Sequence, residues 1–126
     1  MKEKSKEWLK FAIIDFEMAE DLLSLKDRYA GGVAYHAQQA AEKALKAYLL
    51  HHNEEIPKTH DLVLLIRRCA QIHLEFLTIE PIAAQLNPFS IQTRYPDDMH
   101  SAISVKEAKK LLNFGKSILD FVTQRL

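Results

Sequence analysis

The chain has 126 residues, 48% of them hydrophobic and 27% charged, the balance of a single folded domain rather than a disordered segment. Seventeen basic residues offset seventeen acidic ones, which excludes a strong overall field toward duplex nucleic acid and leaves only a local site open. Three glycines and four prolines are too few for a turn-rich β protein, and one cysteine cannot form an intrachain disulfide. The charged N-terminus carries no apolar signal core and no apolar run is long enough to span a bilayer, so a cytoplasmic protein with no membrane contact is expected.

Lys6 to Leu25 reads as the first helix, with Trp8, Ala12, Phe16, Ala19 and Leu23 as its inner stripe and Phe11, Ile13 and Leu22 beside it. Asp15 borders that stripe. It is either an ordinary boundary carboxylate or one paired with a base from the second helix, because a buried charge needs a partner. Lys26-Asp27-Arg28 is a polar turn, and Tyr29 to His52 is the second helix with its lead-in. Ala34, Ala37, Ala41, Ala44 and Tyr48 step by three and four, a small-residue face that lets neighbouring helices come close. Gln38, Glu42 and Lys46 are expected along the outer side, Glu42 and Lys46 in the favourable order for a helix ion pair. His36 is expected to face outward beside Gln39 and Lys43.

The stretch from Asn53 to Lys58 is a loop punctuated by Pro57. Thr59 is the expected N-cap of a third helix, with Asp61 in its first turn and Leu62, Leu65, Cys69 and Ile72 on its inner face. Leu74 to Leu86 is a shorter helical stretch that Pro81 either starts or kinks, burying Leu77, Ile82 and Leu86. Asn87 to Ile103 is irregular, and long for a compact bundle. Ser104 and Glu107 then fit a capping box opening the last helix, on which Val105, Ala108, Leu112, Gly115, Leu119 and Val122 share a face. The fold implied is all-α: an up-down antiparallel bundle of four main helices plus one shorter helix, in one domain over residues 1–126. Phe89, Ile91 and Tyr95 sit in a polar loop, which points to a homodimer formed there.

Taken together, Asp15, the string Tyr35-His36-Ala37-Gln38-Gln39-Ala40-Ala41-Glu42-Lys43-Ala44-Leu45-Lys46-Ala47, the turn Pro57-Lys58-Thr59-His60-Asp61-Leu62 and Arg94-Tyr95-Pro96-Asp97 resemble the HEPN family across essentially the whole chain. That resemblance implies a helical bundle, commonly homodimeric, and for stand-alone members a frequent pairing with a minimal nucleotidyltransferase in toxin–antitoxin-like systems. It also implies one of two activities. One is a metal-independent ribonuclease that uses an arginine followed four to six residues on by a histidine; the other is a non-catalytic nucleotide-binding or partner subunit. Arg94 and His100, with five residues between them, fit the pair, whereas Tyr95-Pro96 departs from the polar residue that usually follows the arginine.

The chemistry of such a pair stands on its own. A histidine moves protons near neutral pH, and a planar guanidinium can hold two oxygens of a phosphorane-like transition state. The alternative is that Arg94 pairs with Asp97 or Asp98 to shape the loop. Asp15, Lys43, Lys46 and Tyr95 are the expected supports of the site. No cofactor is expected, and His51, His52 and His60 lack the further ligands that a metal would need.

Overall fold

In the computed structural model, which describes residues 2–91 and 103–126, the two longest helices come first. Helix α1 runs Glu3–Leu25 and α2 runs Ala30–His51, joined by one turn of 3-10 helix at Asp27–Tyr29. They lie antiparallel. Ser5 Oγ near the start of α1 donates to the carbonyl of Ala47 near the end of α2 at 2.9 Å. At the other end a Cβ on Gly32 would come within 3.1 Å of the Leu22 side chain. The alanine face explains the closeness, since Ala34, Ala37, Ala41 and Ala44 are fully buried and Tyr48 nearly so.

Helix α5, Val105–Thr123, packs on the same alanines. Gly115 lies against α2 so tightly that a Cβ there would meet the Ala37 carbonyl at 3.1 Å, which is why the residue has no side chain. Val33 clusters with Ala108, Ala37 meets Gly115, and Tyr48 reaches Phe121 through Phe76, so α5 follows α2 in the same direction. Alternate passes of an up-down bundle have that relation. The pass between them is divided into α3, Leu62–Ala70, a 3-10 segment at Leu74–Ile79, α4 at Glu80–Leu86, and a last 3-10 turn at Asn87–Phe89. Pro81 sits in the first turn of α4, where its missing N–H costs nothing, so it starts that helix rather than kinking one. Among the described residues there is no strand, and no helix is long and apolar enough to cross a membrane.

Several side chains lie elsewhere than their spacing suggests. Phe11 and Ile13 are 54% and 41% exposed instead of flanking the core, because α1 turns only a narrow arc of alanines, Ser5 and Asp15 toward α2 and α5. Leu77 is exposed, since the 3-10 turn around it breaks the helical step. Phe89 is buried in the main core, so it does not belong to an exposed loop cluster.

The helix ends follow local chemistry. Asn53, at φ 63°, closes α2 in the left-handed region that asparagine tolerates; its N–H donates to the Leu50 carbonyl and that of Glu54 to Leu49. Ser104 Oγ accepts from the Glu107 amide, as its capping sequence leads one to expect. The cap of α3 is Asp61 and not Thr59. The Asp61 carboxylate accepts from the amides of Val63 and Leu64, while the Thr59 hydroxyl accepts from the Asp61 amide one step earlier. Asn87 locks the arrangement, donating to Asp61 and accepting from the Leu62 amide at 2.7 Å. The hydrogen bond from Asn87, and then those from the two amides, hold the Asp61 carboxyl below its ordinary pKa against the opposing effect of burial. Asp61→Ala should therefore destabilise the protein by about 1–2 kcal/mol, the upper part of the range for a cap, and Thr59→Ala by less. Urea denaturation of the two variants side by side checks the order; equal losses would return the cap to Thr59.

Candidate functional site

One face of α2 is polar along most of its length. Tyr35, Gln39, Glu42 and Lys46 recur at steps of four and three, with His36 and Lys43 beside them. In a central helix such a face has to be satisfied or solvated. Two charged clusters satisfy most of it here.

The first joins α2 to α1. Asp15 is 6% exposed and accepts from His36 Nδ1 at 2.9 Å and from the Lys43 ammonium at 2.5 Å. An ionised carboxylate only accepts, so Nδ1 carries the proton in this hydrogen bond. Burial pushes the Asp15 carboxyl up, but the hydrogen bonds and charges of His36 and Lys43 outweigh it and leave the pKa below its ordinary value. Tyr35 packs edge-on against His36 and accepts from Gln39. Asp15 is thus the paired carboxylate and not the boundary one. His36 does not face outward, because its ring is drawn onto Asp15 and only 12% of its side chain is exposed.

The second cluster joins α2 to the turn before α3. Glu42 accepts from Lys46 at 3.1 Å and from His60 Nδ1 at 3.0 Å, and Gln38 Nε2 donates to the His60 carbonyl. Gln38, Glu42 and Lys46 are buried, at 0%, 4% and 6% exposed, instead of lining an outer side. The intrahelical pair of Glu42 and Lys46 does form as its order implies, and its burial comes from the 53–61 turn folding against α2. The Gln38 carbonyl oxygen is buried without a hydrogen-bond partner among the described residues.

Trp8 stands between the two clusters, its ring 5.7 Å from the Lys46 ammonium. It borders two surface grooves. One, of about 280 Å³, is lined by Glu7, Trp8, Phe11 and Lys43. The other, of about 610 Å³, is lined by Lys4, Leu50, Glu55, Ile56, Pro57 and Lys58. Among the described residues no three His, Cys, Asp or Glu side chains are placed to hold a metal ion.

Of the expected site residues, the structure brings Asp15 and Lys43 into direct contact and puts Lys46 in the neighbouring cluster. Arg94, Tyr95 and His100 lie outside the described residues. His36, Gln38, His60 and Trp8 are the additions. For His36 and Gln38 the signal was polar residues continuing at helical spacing on a helix whose other faces are alanine; Trp8 and His60 come from other segments and carried no such signal.

Comparison with known proteins identifies the fold. A crystal structure of TT1696 from Thermus thermophilus superposes with a TM-score of 0.79 at 28% identity, covering 99% of this chain and 100% of that one. The crystal structure of ST0689, described as an archaeal HEPN homologue, gives the same TM-score at 23% identity, covering 99% and 98%, and so shares the fold. No curated protein matches. The HEPN domain family matches residues 5–126, nearly the whole chain, and the chain belongs to that family.

Proposed function

We propose that this HEPN protein is a metal-independent endoribonuclease with Arg94 and His100 as its acting pair. The observation that carries the reading is an arginine and a histidine separated by five residues, in a chain that the HEPN family matches from residue 5 to its last residue. In the reaction, His100 takes the proton of a ribose 2′-hydroxyl as its oxygen attacks the adjacent phosphorus. The P–O5′ bond breaks, a proton passes to the leaving 5′-oxygen, and a 2′,3′-cyclic phosphate remains. Arg94 stabilises the charge that develops on the non-bridging oxygens. Lys43 and Lys46 each face a carboxylate, so their part is to hold α1, α2 and the 53–61 turn in register, leaving Arg94 as the cation for phosphate.

The test is cleavage of single-stranded RNA in EDTA. Wild type is expected to cleave, and to bind less tightly as salt rises. Arg94→Ala should lose cleavage and part of the binding. His100→Ala should lose cleavage and keep most of the binding. Variants that cleave like wild type would sink the reading. A wild type that binds a nucleotide without cleaving RNA would replace it with a binding module, of the kind paired with a nucleotidyltransferase in toxin–antitoxin-like systems. Tyr95-Pro96 directly after Arg94 is the feature that favours this second reading.

A further inference from the structure

Trp8 is the only tryptophan in the chain, and the fold holds it in place from behind. Ser5, less than one helical turn before it, ties α1 to the Ala47 carbonyl of α2. At the same level Lys46 of α2 faces the indole, its ammonium 5.7 Å from the ring centroid. Glu42 fixes that ammonium in turn at 3.1 Å. A series of carboxylate, ammonium and ring therefore orients the indole before any ligand arrives. The ring is half-buried, and it walls the groove of about 610 Å³. Leu50, Ile56 and Pro57 line that groove half-buried, while Lys4 and Lys58 line it exposed. Neither lysine has an ion-pair partner among the described residues, in contrast to Lys43 and Lys46. Glu55 is the acid that shares the groove with them.

We propose that this groove is a base-stacking subsite for single-stranded RNA, with one base on Trp8 and its flanking phosphates on Lys4 and Lys58. The inference rests on RNA as the substrate and deepens that reading, because it gives the strand a hold apart from the bond that is cut. Every base has a π face that an aromatic ring can take, and the phosphates on either side of it need cations. The groove offers both, a pre-oriented ring and two free ammoniums. Lys46 is buried and paired with Glu42, so it serves the ring and leaves the flanking phosphates to Lys4 and Lys58. Arg94 remains the cation for the scissile phosphate. Other occupants fit less of the groove. An apolar peptide would match Leu50, Ile56 and Pro57 and leave both lysines unanswered. An acidic peptide would answer the lysines and give the ring no planar partner. Duplex RNA has its bases stacked already and would gain nothing from Trp8.

With a single tryptophan, the intrinsic fluorescence of the full chain reports on this groove alone. The probe is a 2′-O-methyl RNA strand of about ten nucleotides, within the span of single-strand binders. It lacks the 2′-hydroxyl nucleophile, so it reads binding without cleavage. Wild type should show saturable quenching of Trp8 emission, and the same strand annealed to its complement should not quench. Lys4→Gln and Lys58→Gln should each weaken binding and flatten its salt dependence, by about 0.7 in log–log slope for each lost phosphate contact. Glu55→Gln, which takes an acid out of the path of the strand, should tighten it. Trp8→Leu, followed by the anisotropy of an end-labelled strand, should weaken binding by about five- to a hundredfold, the range for one stacked base. The lysine variants and the wild-type quenching decide the matter even if Trp8→Leu fails to fold. A strand that binds by anisotropy without changing Trp8 emission would overturn the proposal, as would absence of binding or charge variants that bind like wild type. Failure of the ribonuclease reading looks different: Trp8 would still be quenched, while RNA with free 2′-hydroxyls stayed uncut.

Discussion

Asp15→Ala is expected to cost about 3–5 kcal/mol, the range for removing one partner of a buried ion pair, and toward its lower end here. The alanine itself is harmless, since Asp15 sits on an arc of α1 already built from Ala12 and Ala19. The cost arises on α2. His36, 12% exposed, loses the acceptor that fixes its ring, and the Lys43 ammonium loses its counter-charge. Lys43 is 26% exposed and can turn toward water, which is why the loss stays near the bottom of the range. The pH dependence has a definite sign. The folded pKa of Asp15 lies below its unfolded value of about 3.9, so the carboxylate stabilises the protein fully above that value. That stability is lost as pH falls through the folded pKa. Wild type should thus weaken steeply below about pH 4, and Asp15→Ala, already weakened, should show a shallower acid limb. Urea melts at pH 7 and pH 3 give both quantities; an acid limb unchanged by the substitution would place the acid sensitivity in other carboxylates.

The contrast between these two helices shows what the sequence could and could not convey. The bundle was legible because alanine at steps of three and four along α2 has few uses other than close helix packing, and Gly115 on the facing helix repeats the message. The capping box at Ser104 was legible because it is local. The position of the polar face of α2 was not. An alternation of apolar and polar faces is read as inside and outside, and it cannot reveal that a loop 18 residues away, through His60, closes over the polar side. His36 looked external for the same reason: its partner is 21 residues distant on α1. The exchange of roles between Thr59 and Asp61 has another cause. Either residue can cap, and the choice was made by Asn87, which reaches back from the end of α4 and fixes the Asp61 carboxylate over the first turn. The pairing of Asp15 could be guessed because a carboxylate on an apolar stripe has few outcomes, although which base it would meet could not.

Glu42→Ala should have a destabilisation as large as that of Asp15→Ala, about 3–5 kcal/mol, from a more enclosed site. Glu42 and Lys46 are 5% and 8% exposed at their side chains, so the Lys46 ammonium left behind has little route to water. The contact that remains for it among the described residues is the Trp8 ring, a weak substitute for a carboxylate. The His60 contact adds little energy because that ring is 68% exposed, but it sets where the 53–61 turn rests. The substitution should therefore have two separable effects: a fall in global stability from the unpaired lysine, and faster amide hydrogen exchange from Thr59 to Leu62 as the turn loosens. Replacing Glu42 and Lys46 together with methionine distinguishes them. Both buried charges are then gone and their volume is kept, so global stability should return to within about 1–2 kcal/mol of wild type, while exchange in the turn stays fast because His60 still lacks its acceptor. Recovery of both would show that the turn is held by packing alone; recovery of neither would mean that the Glu42 carboxylate supports more of the fold than its two partners account for.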